Sequence, residues 1–129
     1  MTSVVAVGDA LPPLVVEVTP TFVVSTALAT RDFQDVHHDR DLAVARGSKD
    51  IFLNILTDTG LVQRFVTDWA GPSALVLQIS IRLGVPCYAY ETLTFTGRVV
   101  SVSNGDCVVE VVARNSLGDH LTGTVRVTR

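Results

Sequence analysis

The chain has 129 residues, enough for one domain around one core, and 47% of them are hydrophobic. Its formal net charge of -3 argues against a nucleic-acid-binding surface, and no apolar run reaches membrane-spanning length. A mean hydropathy of +0.40 is high for a small chain standing alone, so part of the apolar surface is expected to lie against a partner.

At the N-terminus no basic residue precedes the apolar stretch, and Asp9 and Pro12-Pro13 interrupt it, so a secretory signal is not expected. Val7-Gly8-Asp9 and Pro12-Pro13 read as an opening loop, and Leu14 to Val18 as a short β-branched strand. Thr19 offers a helix cap, with Pro20 in the first turn. From Phe22 to Thr30 the signals conflict. Val23, Val24 and Thr26 favour strand, Ala27, Leu28 and Ala29 favour helix, and helix is the reading adopted.

The run from Arg31 to Asp41 is the polar centre of an apolar chain, with His37 and His38 set among Asp32, Asp35, Asp39 and Asp41. Three readings are open on spacing alone. A carboxylate and an imidazole within reach of one another can hold a water and move its proton. Alternatively, His37, His38 and Asp39 can bind a divalent metal, although all these ligands crowd into one segment. The third reading is a solvated loop with local turn hydrogen bonds.

Ile51 to Trp69 carries apolar residues at helical spacing, at Ile51, Ile55, Val62, Phe65, Val66 and Trp69, with a second line at Phe52, Leu56 and Leu61. One long helix is expected here, capped by Ser48 or Asp50 and stopped by Gly71-Pro72. The period then changes to two. Leu75, Leu77, Ile79, Ile81 and Leu83 alternate with more polar residues as a half-buried strand, which Gly84-Val85-Pro86 breaks. Thr92 to Ser103 is a second long strand whose apolar phase shifts between Val99 and Val100, a pattern expected of a bulge or a strong bend. Asn104-Gly105 marks a hairpin turn, and Cys107, Val109, Val111 and Ala113 line one face of the next strand. After a turn over Asn115 to Asp119, Leu121, Gly123, Val125 and Val127 line one face of the last strand, and His120 reads as a surface residue. Cys87 and Cys107 have no metal or redox spacing and read as reduced residues filling strand faces in a cytoplasmic protein. The expected architecture is α+β in a single domain over 1–129, with a long central helix wrapped by a curved, mostly antiparallel sheet.

The polar run resembles the motif of the MaoC-like, (R)-specific enoyl-CoA hydratases, which have the hotdog fold. That pattern places an Asp, an Asn two residues on, a His five residues after the Asp, and a small residue six further along; here these are Asp32, Gln34, His37 and Ala43. Gly47, Thr67 through Pro72, Gly97-Arg98-Val99 and the opening Val7-Gly8-Asp9 also match in order, so the resemblance spans essentially the whole chain. Ser25 through Asp39 and Gly47 through Phe52 further resemble the small subunit of the actinobacterial hydratase of steroid side-chain degradation. Two departures stand out: the usual Asn-Pro is Gln34-Asp35, and the usual His-Gly at the start of the central helix is Leu53-Asn54.

The resemblance implies an enoyl-CoA hydratase in which Asp32 and His37 are catalytic. It assigns substrate positioning to Gln34 and an oxyanion-binding backbone N–H to Asn54. It implies no cofactor and no metal, the CoA thioester being substrate. The implied partner is a larger MaoC-like subunit with an extra acyl-CoA-associated domain, in a heterodimer or heterotetramer, with a thiolase-like aldolase acting on the product. Arg82, Arg98, Arg114 and Arg126 read as solvated strand arginines, any of which can meet the CoA phosphates. The competing expectations are a homodimeric hydratase of medium-chain fatty enoyl-CoA, a thioesterase on the same fold, and a non-catalytic partner subunit.

Overall fold

The computed structural model describes residues 4–129. Five strands form one sheet in the order β1-β3-β4-β5-β2, with every neighbouring pair antiparallel. The strands are β1 (Leu14–Glu17), β2 (Val76–Leu83), β3 (Thr92–Ser103), β4 (Asp106–Asn115) and β5 (Gly118–Thr128). The helices are α1 (Pro20–Ala29), α2 (Arg40–Ala45) and α3 (Ile55–Ala70). Short turns join β3, β4 and β5 as the sequence led us to expect, with Gly105 at φ 78 in the first of them.

The alternation in β3, β4 and β5 puts Leu93, Phe95, Val99, Cys107, Val109, Val111, Ala113, Leu121, Val125 and Val127 on one buried face. Helix α3 covers that face with Leu61, Val62, Phe65 and Val66, and Phe65 meets Phe95 with ring centroids 5.9 Å apart. Each fully buried Val, Leu or Phe contributes about 1.5–3 kcal/mol of burial energy, so this helix–sheet contact dominates the core. Register shifts between Val99 and Ser101, between Ala113 and Arg114, and between Val76 and Gln78 mark bulges that bend the sheet.

The long helix begins later than its periodicity suggests. Ile51–Leu53 is extended and pairs with the segment before β3: Leu53 N–H donates to Cys87 O, Ala89 N–H donates to Ile51 O, and Phe52 bridges Tyr88. Neither Ser48 nor Asp50 is the cap. Asn54 is, its side-chain oxygen accepting from Thr57 N–H at 3.3 Å. The late start exposes Ile55 and Leu56 and buries the polar Thr57 and Asp58 in the first turns.

In the conflicted segment, helix wins. Thr19 caps α1 by accepting from Phe22 N–H, and Pro20 opens it. β2 is an edge strand, and Leu77 and Leu83 on it, with Leu75 just before it, remain exposed. Cys107 lies on β4 as expected, whereas Cys87 is buried in the β2–β3 connection, not on a strand face. No helix among the described residues is long and apolar enough to cross a membrane.

Gly97 lies where α3 crosses β3. A Cβ there would come within 2.9 Å of both the Phe65 ring and the Glu110 carbonyl oxygen. Gly97→Ala is therefore expected to lower stability by about 1–3 kcal/mol, read as a reduced midpoint in urea unfolding with an unchanged slope.

Candidate functional site

The end of α1 sets the first side chain. Arg31 N–H donates to Leu28 O and Asp32 N–H donates to Ala27 O, a helix-ending motif that needs a left-handed residue at position 31. Glycine normally fills it, but here Arg31 takes φ 56, at a cost on the order of 1 kcal/mol. The turn delivers Asp32 out of the helix with its carboxylate facing the start of α3. One 3-10 turn, Asp35–His37, then brings His37 back beneath it.

His37 is buried and edge-on to Phe52, with ring centroids 4.9 Å apart. Its Nδ1 lies 2.8 Å from Phe52 O. A carbonyl can only accept, so Nδ1 carries the proton and Nε2 of the neutral ring presents a lone pair. That lone pair faces Asp32 Oδ2 at 3.5 Å, beyond a good hydrogen bond and suited to a shared water. The Asp32 side chain retains 20% of its exposure, so the pair opens to solvent on one side.

Asn54 holds the carboxylate from the other side. Its Nδ2 donates to Thr30 Oγ1 at 2.8 Å and to Asp32 Oδ2 at 3.2 Å, while its Oδ1 accepts from the Thr57 N–H and hydroxyl. The side chain thus turns toward Asp32 and the helix. Among the described residues the N–H groups of Asn54, Ile55 and Leu56 have no protein acceptor, as befits a helix start. Gln34 reaches Asp32 through its backbone, N–H to Oδ1 at 3.4 Å, while its side chain is exposed and bonds nothing in the described chain.

The remaining polar residues of the run are engaged locally. Asp39 caps α2 by accepting from Leu42 N–H, and His38 Nε2 lies 3.1 Å from Phe33 O. The two do not converge with His37 on a metal site. The forked contact of Arg46 on Asp35, at 2.7 and 2.8 Å, holds that carboxyl below its usual range and occupies the extra charge beside the site. Arg98, Arg114 and Arg126 pair with Glu110, Asp119 and Asp106 on the sheet surface, while Arg82 lies exposed on β2.

One reading is corrected outright. His120 is not a surface residue but is buried, with Nε2 2.9 Å from both carboxylate oxygens of the fully buried Asp58 and Nδ1 2.6 Å from Val85 O. In β5, Leu121 pairs with Ala113 and Asp119 with Arg114, so His120 is the unpaired residue of a bulge and turns inward beside Leu121. Strict alternation hides this. The one trace in the sequence is an Asp in the first turns of an apolar helix face, which needs a partner if buried.

Burial works against an imidazolium at His120, yet the Asp58 hydrogen bond and charge, with the Val85 carbonyl, raise its pKa above the ordinary value. Burial also pushes Asp58 up, only partly offset by His120 and by the more distant His37. Both directions mean that the folded pair keeps a proton the unfolded chain releases.

No protein-family model matches the sequence. The chain is 69% identical over 122 residues, 95% of each chain, to the beta subunit of 3-oxo-4,17-pregnadiene-20-carboxyl-CoA hydratase from Mycobacterium tuberculosis. It is similar to a chain of the ChsH1-ChsH2 complex from the same organism, at a TM-score of 0.94 and 68% identity over 95% of this chain and 97% of that one. The (R)-hydratase of A. caviae involved in PHA biosynthesis shares the fold at a TM-score of 0.89, with 16% identity over 98% of each chain.

The raised His120 value makes its stabilisation complete below the unfolded imidazole pKa of about 6.5 and loses it as pH rises through the folded value. The raised Asp58 value acts in the same direction. Melting temperature is therefore expected to fall as pH rises above about 6.5, and Asp58→Asn to flatten that slope, both measured by calorimetry.

Proposed function

The chain belongs to the family of the 3-oxo-4,17-pregnadiene-20-carboxyl-CoA hydratase beta subunit, MaoC-like hydratases of the hotdog fold, and we propose that Asp32 and His37 are its catalytic pair. The reaction is hydration of a 2-enoyl-CoA. The observation that carries the residue assignment is the fixed tautomer of His37, whose free Nε2 lone pair faces the Asp32 carboxylate at 3.5 Å. Two acceptors so placed hold one water by its two hydrogens and turn its oxygen lone pair outward.

The water oxygen adds to the β-carbon of the conjugated thioester as the pair takes one of its protons. A proton is returned to the α-carbon on the same face, so the elements of water add syn. Charge that develops on the thioester oxygen is received by the open N–H groups at the start of α3, near Asn54, where the helix dipole favours it. Asn54 serves this site twice, as the cap that forms the helix start and as the donor that aims Asp32. Gln34 positions Asp32 through its main chain. No cofactor enters the chemistry.

The relative's name points to the substrate class, a steroid whose 17-ene is conjugated to a 20-carboxyl-CoA thioester. Such a four-ring acyl group needs a wide cavity. Phe33, Ile55 and Leu56, which adjoin Asp32 and Asn54 in the chain, are 66%, 49% and 52% exposed, an apolar rim for a site that a second chain closes. The proposed second chain is the larger MaoC-like subunit with its acyl-CoA-associated domain, in a heterodimer or heterotetramer. The product, a β-hydroxyacyl thioester, is the kind a thiolase-like aldolase cleaves. The chain is taken as one hotdog domain over 1–129, acting in the cytoplasm, where Cys87 and Cys107 stay reduced.

In the complex with the larger subunit, Asp32→Asn and His37→Gln are each expected to lower kcat by about 10²–10⁴-fold, followed as loss of enoyl-thioester absorbance. Both variants should keep the wild-type circular dichroism spectrum and co-purify with the partner; near-normal turnover in both overturns the assignment. Asn54→Ser should keep the helix cap and its stability while lowering kcat roughly 10- to 100-fold, the loss of one hydrogen bond to a charged group. Asn54→Ala should lose about 1 kcal/mol of stability as well, which calorimetry separates from the rate effect.

A further inference from the structure

The Asp58–His120 pair has no part in the chemistry proposed above, yet it is the most deeply buried polar contact in the described chain, with Asp58 fully buried and His120 3% exposed. Its hydrogen-bond valence is restrictive. Val85 O can only accept, so Nδ1 of His120 carries a proton. At Nε2 the partner is a carboxylate with both oxygens at 2.9 Å, the symmetric contact of an N–H shared by two acceptor oxygens. A carboxylic O–H donated to Nε2 would engage one oxygen and leave the other without a donor, whereas two equal contacts match a ring with two N–H protons and a carboxylate with none.

The pair also stands at a junction. Asp58 lies on the first turns of α3, and its own N–H donates to Asn54 O. The β2–β3 connection is tied to the β5 bulge by Gly84 N–H to His120 O and Val85 N–H to Asp119 O. A few residues on, that connection holds the segment bearing Phe52, through Leu53 N–H to Cys87 O and Ala89 N–H to Ile51 O. Phe52 O is the group that fixes the His37 tautomer. His120 thus braces both halves of the proposed site, the start of α3 and the seat of His37. The other titratable groups within electrostatic reach are His37 and the Cys87 thiol, which burial pushes up to about 12 and keeps neutral.

We propose that Asp58 and His120 form a buried carboxylate–imidazolium pair that positions the α3 start and the β2–β3 connection for hydration and cancels a negative charge about one helical turn from the proposed enolate-binding N–H groups. Without His120, an ionised Asp58 would oppose the charge developing on the substrate. The two residues are positioning residues and touch no reacting atom. Their role in hydration rests on the Asp32–His37 site, but their ionisation does not.

The test uses the complex with the larger subunit and has two arms. In ¹⁵N-histidine spectra at pH 7.5, both His120 ring nitrogens should be protonated. In Asp58→Asn the ring should revert to a neutral tautomer, with Nε2 accepting from the new amide. An unprotonated Nε2 in the wild type overturns the proposal, whatever the activity of any variant. In the kinetic arm, His120→Gln should acquire an alkaline loss of kcat absent from the wild type, at least tenfold by pH 8, with KM within threefold. Asp58→Asn/His120→Gln should lose that extra pH dependence and recover most of the rate. Identical pH profiles for His120→Gln and the double variant mean a purely structural contact and overturn the proposal. If His120→Gln does not fold, the spectra of the wild type and Asp58→Asn decide alone. A wild-type complex that shows the imidazolium but hydrates no enoyl-CoA refutes the functional reading and leaves the ion pair standing.

Discussion

The Asn54 side chain is the contact on which the site geometry depends. Its oxygen ends the extended run Ile51–Leu53 and starts α3, while its amide reaches back 22 residues to Asp32 and 24 to Thr30. One residue therefore joins the C-terminal end of α1, the carboxylate and the N-terminal end of the central helix. A cap usually contributes about 1 kcal/mol to its helix. Here the same side chain also decides the direction of a carboxylate, its oxygen serving the helix start and its amide the site geometry. The glycine expected at this position from the resemblance would leave the N–H groups equally open but would supply neither bond.

Much of this was legible from the residues. The alternation in β4 and β5 named Cys107, Val109, Val111, Ala113, Leu121, Val125 and Val127, all of them buried, because strand period and turn chemistry are local properties that tertiary contacts had little reason to override. Even the bulge at Val99–Ser101 shows as a phase shift. The polar run was marked by contrast with its surroundings, and Asp32 and His37 do face one another. What failed was the helix start. Ile51, Ile55 and Phe52 fit a helical period, yet pairing of Ile51–Leu53 with Cys87–Ala89 competes for the same backbone and wins. Periodicity cannot register a competitor more than 30 positions away. The short helix α2 was missed for a related reason: Asp39 caps it, but six residues of Arg40–Ala45 are too few to show an apolar stripe.

The exposed apolar residues are of two kinds. Leu77 and Leu83 lie along the β2 edge, with Leu75 just before it, and the outer backbone groups of that edge pair with no strand in the described chain. Phe33, Ile55 and Leu56 instead adjoin the site. The last two are the first residues of α3, next to its capping Asn54. The same helix start that opens the N–H groups of α3 therefore also furnishes apolar surface beside them. A thioester with a large hydrocarbon body needs both in one place: donors for the oxygen and apolar contact for the rings.

The two carboxylate–histidine pairs show how similar groups acquire different chemistry. Both rings donate through Nδ1 to a main-chain carbonyl, Phe52 O for His37 and Val85 O for His120. At His120 the second nitrogen meets its carboxylate at 2.9 Å from each oxygen, inside a fully buried contact that admits no third molecule. At His37 the separation is 3.5 Å, the carboxylate is partly exposed, and Asn54 already draws on the oxygen that faces the ring. The difference of 0.6 Å, with the opening to solvent, separates a closed ion pair from an arrangement that can bind water. Charge follows the same divide. A direct contact stabilises the imidazolium, whereas a gap filled by a donating water requires the neutral ring, the only form with a lone pair to accept a proton. Reactivity in this fold is thus set less by which residues are paired than by how far the backbone that carries each ring lets the pair close.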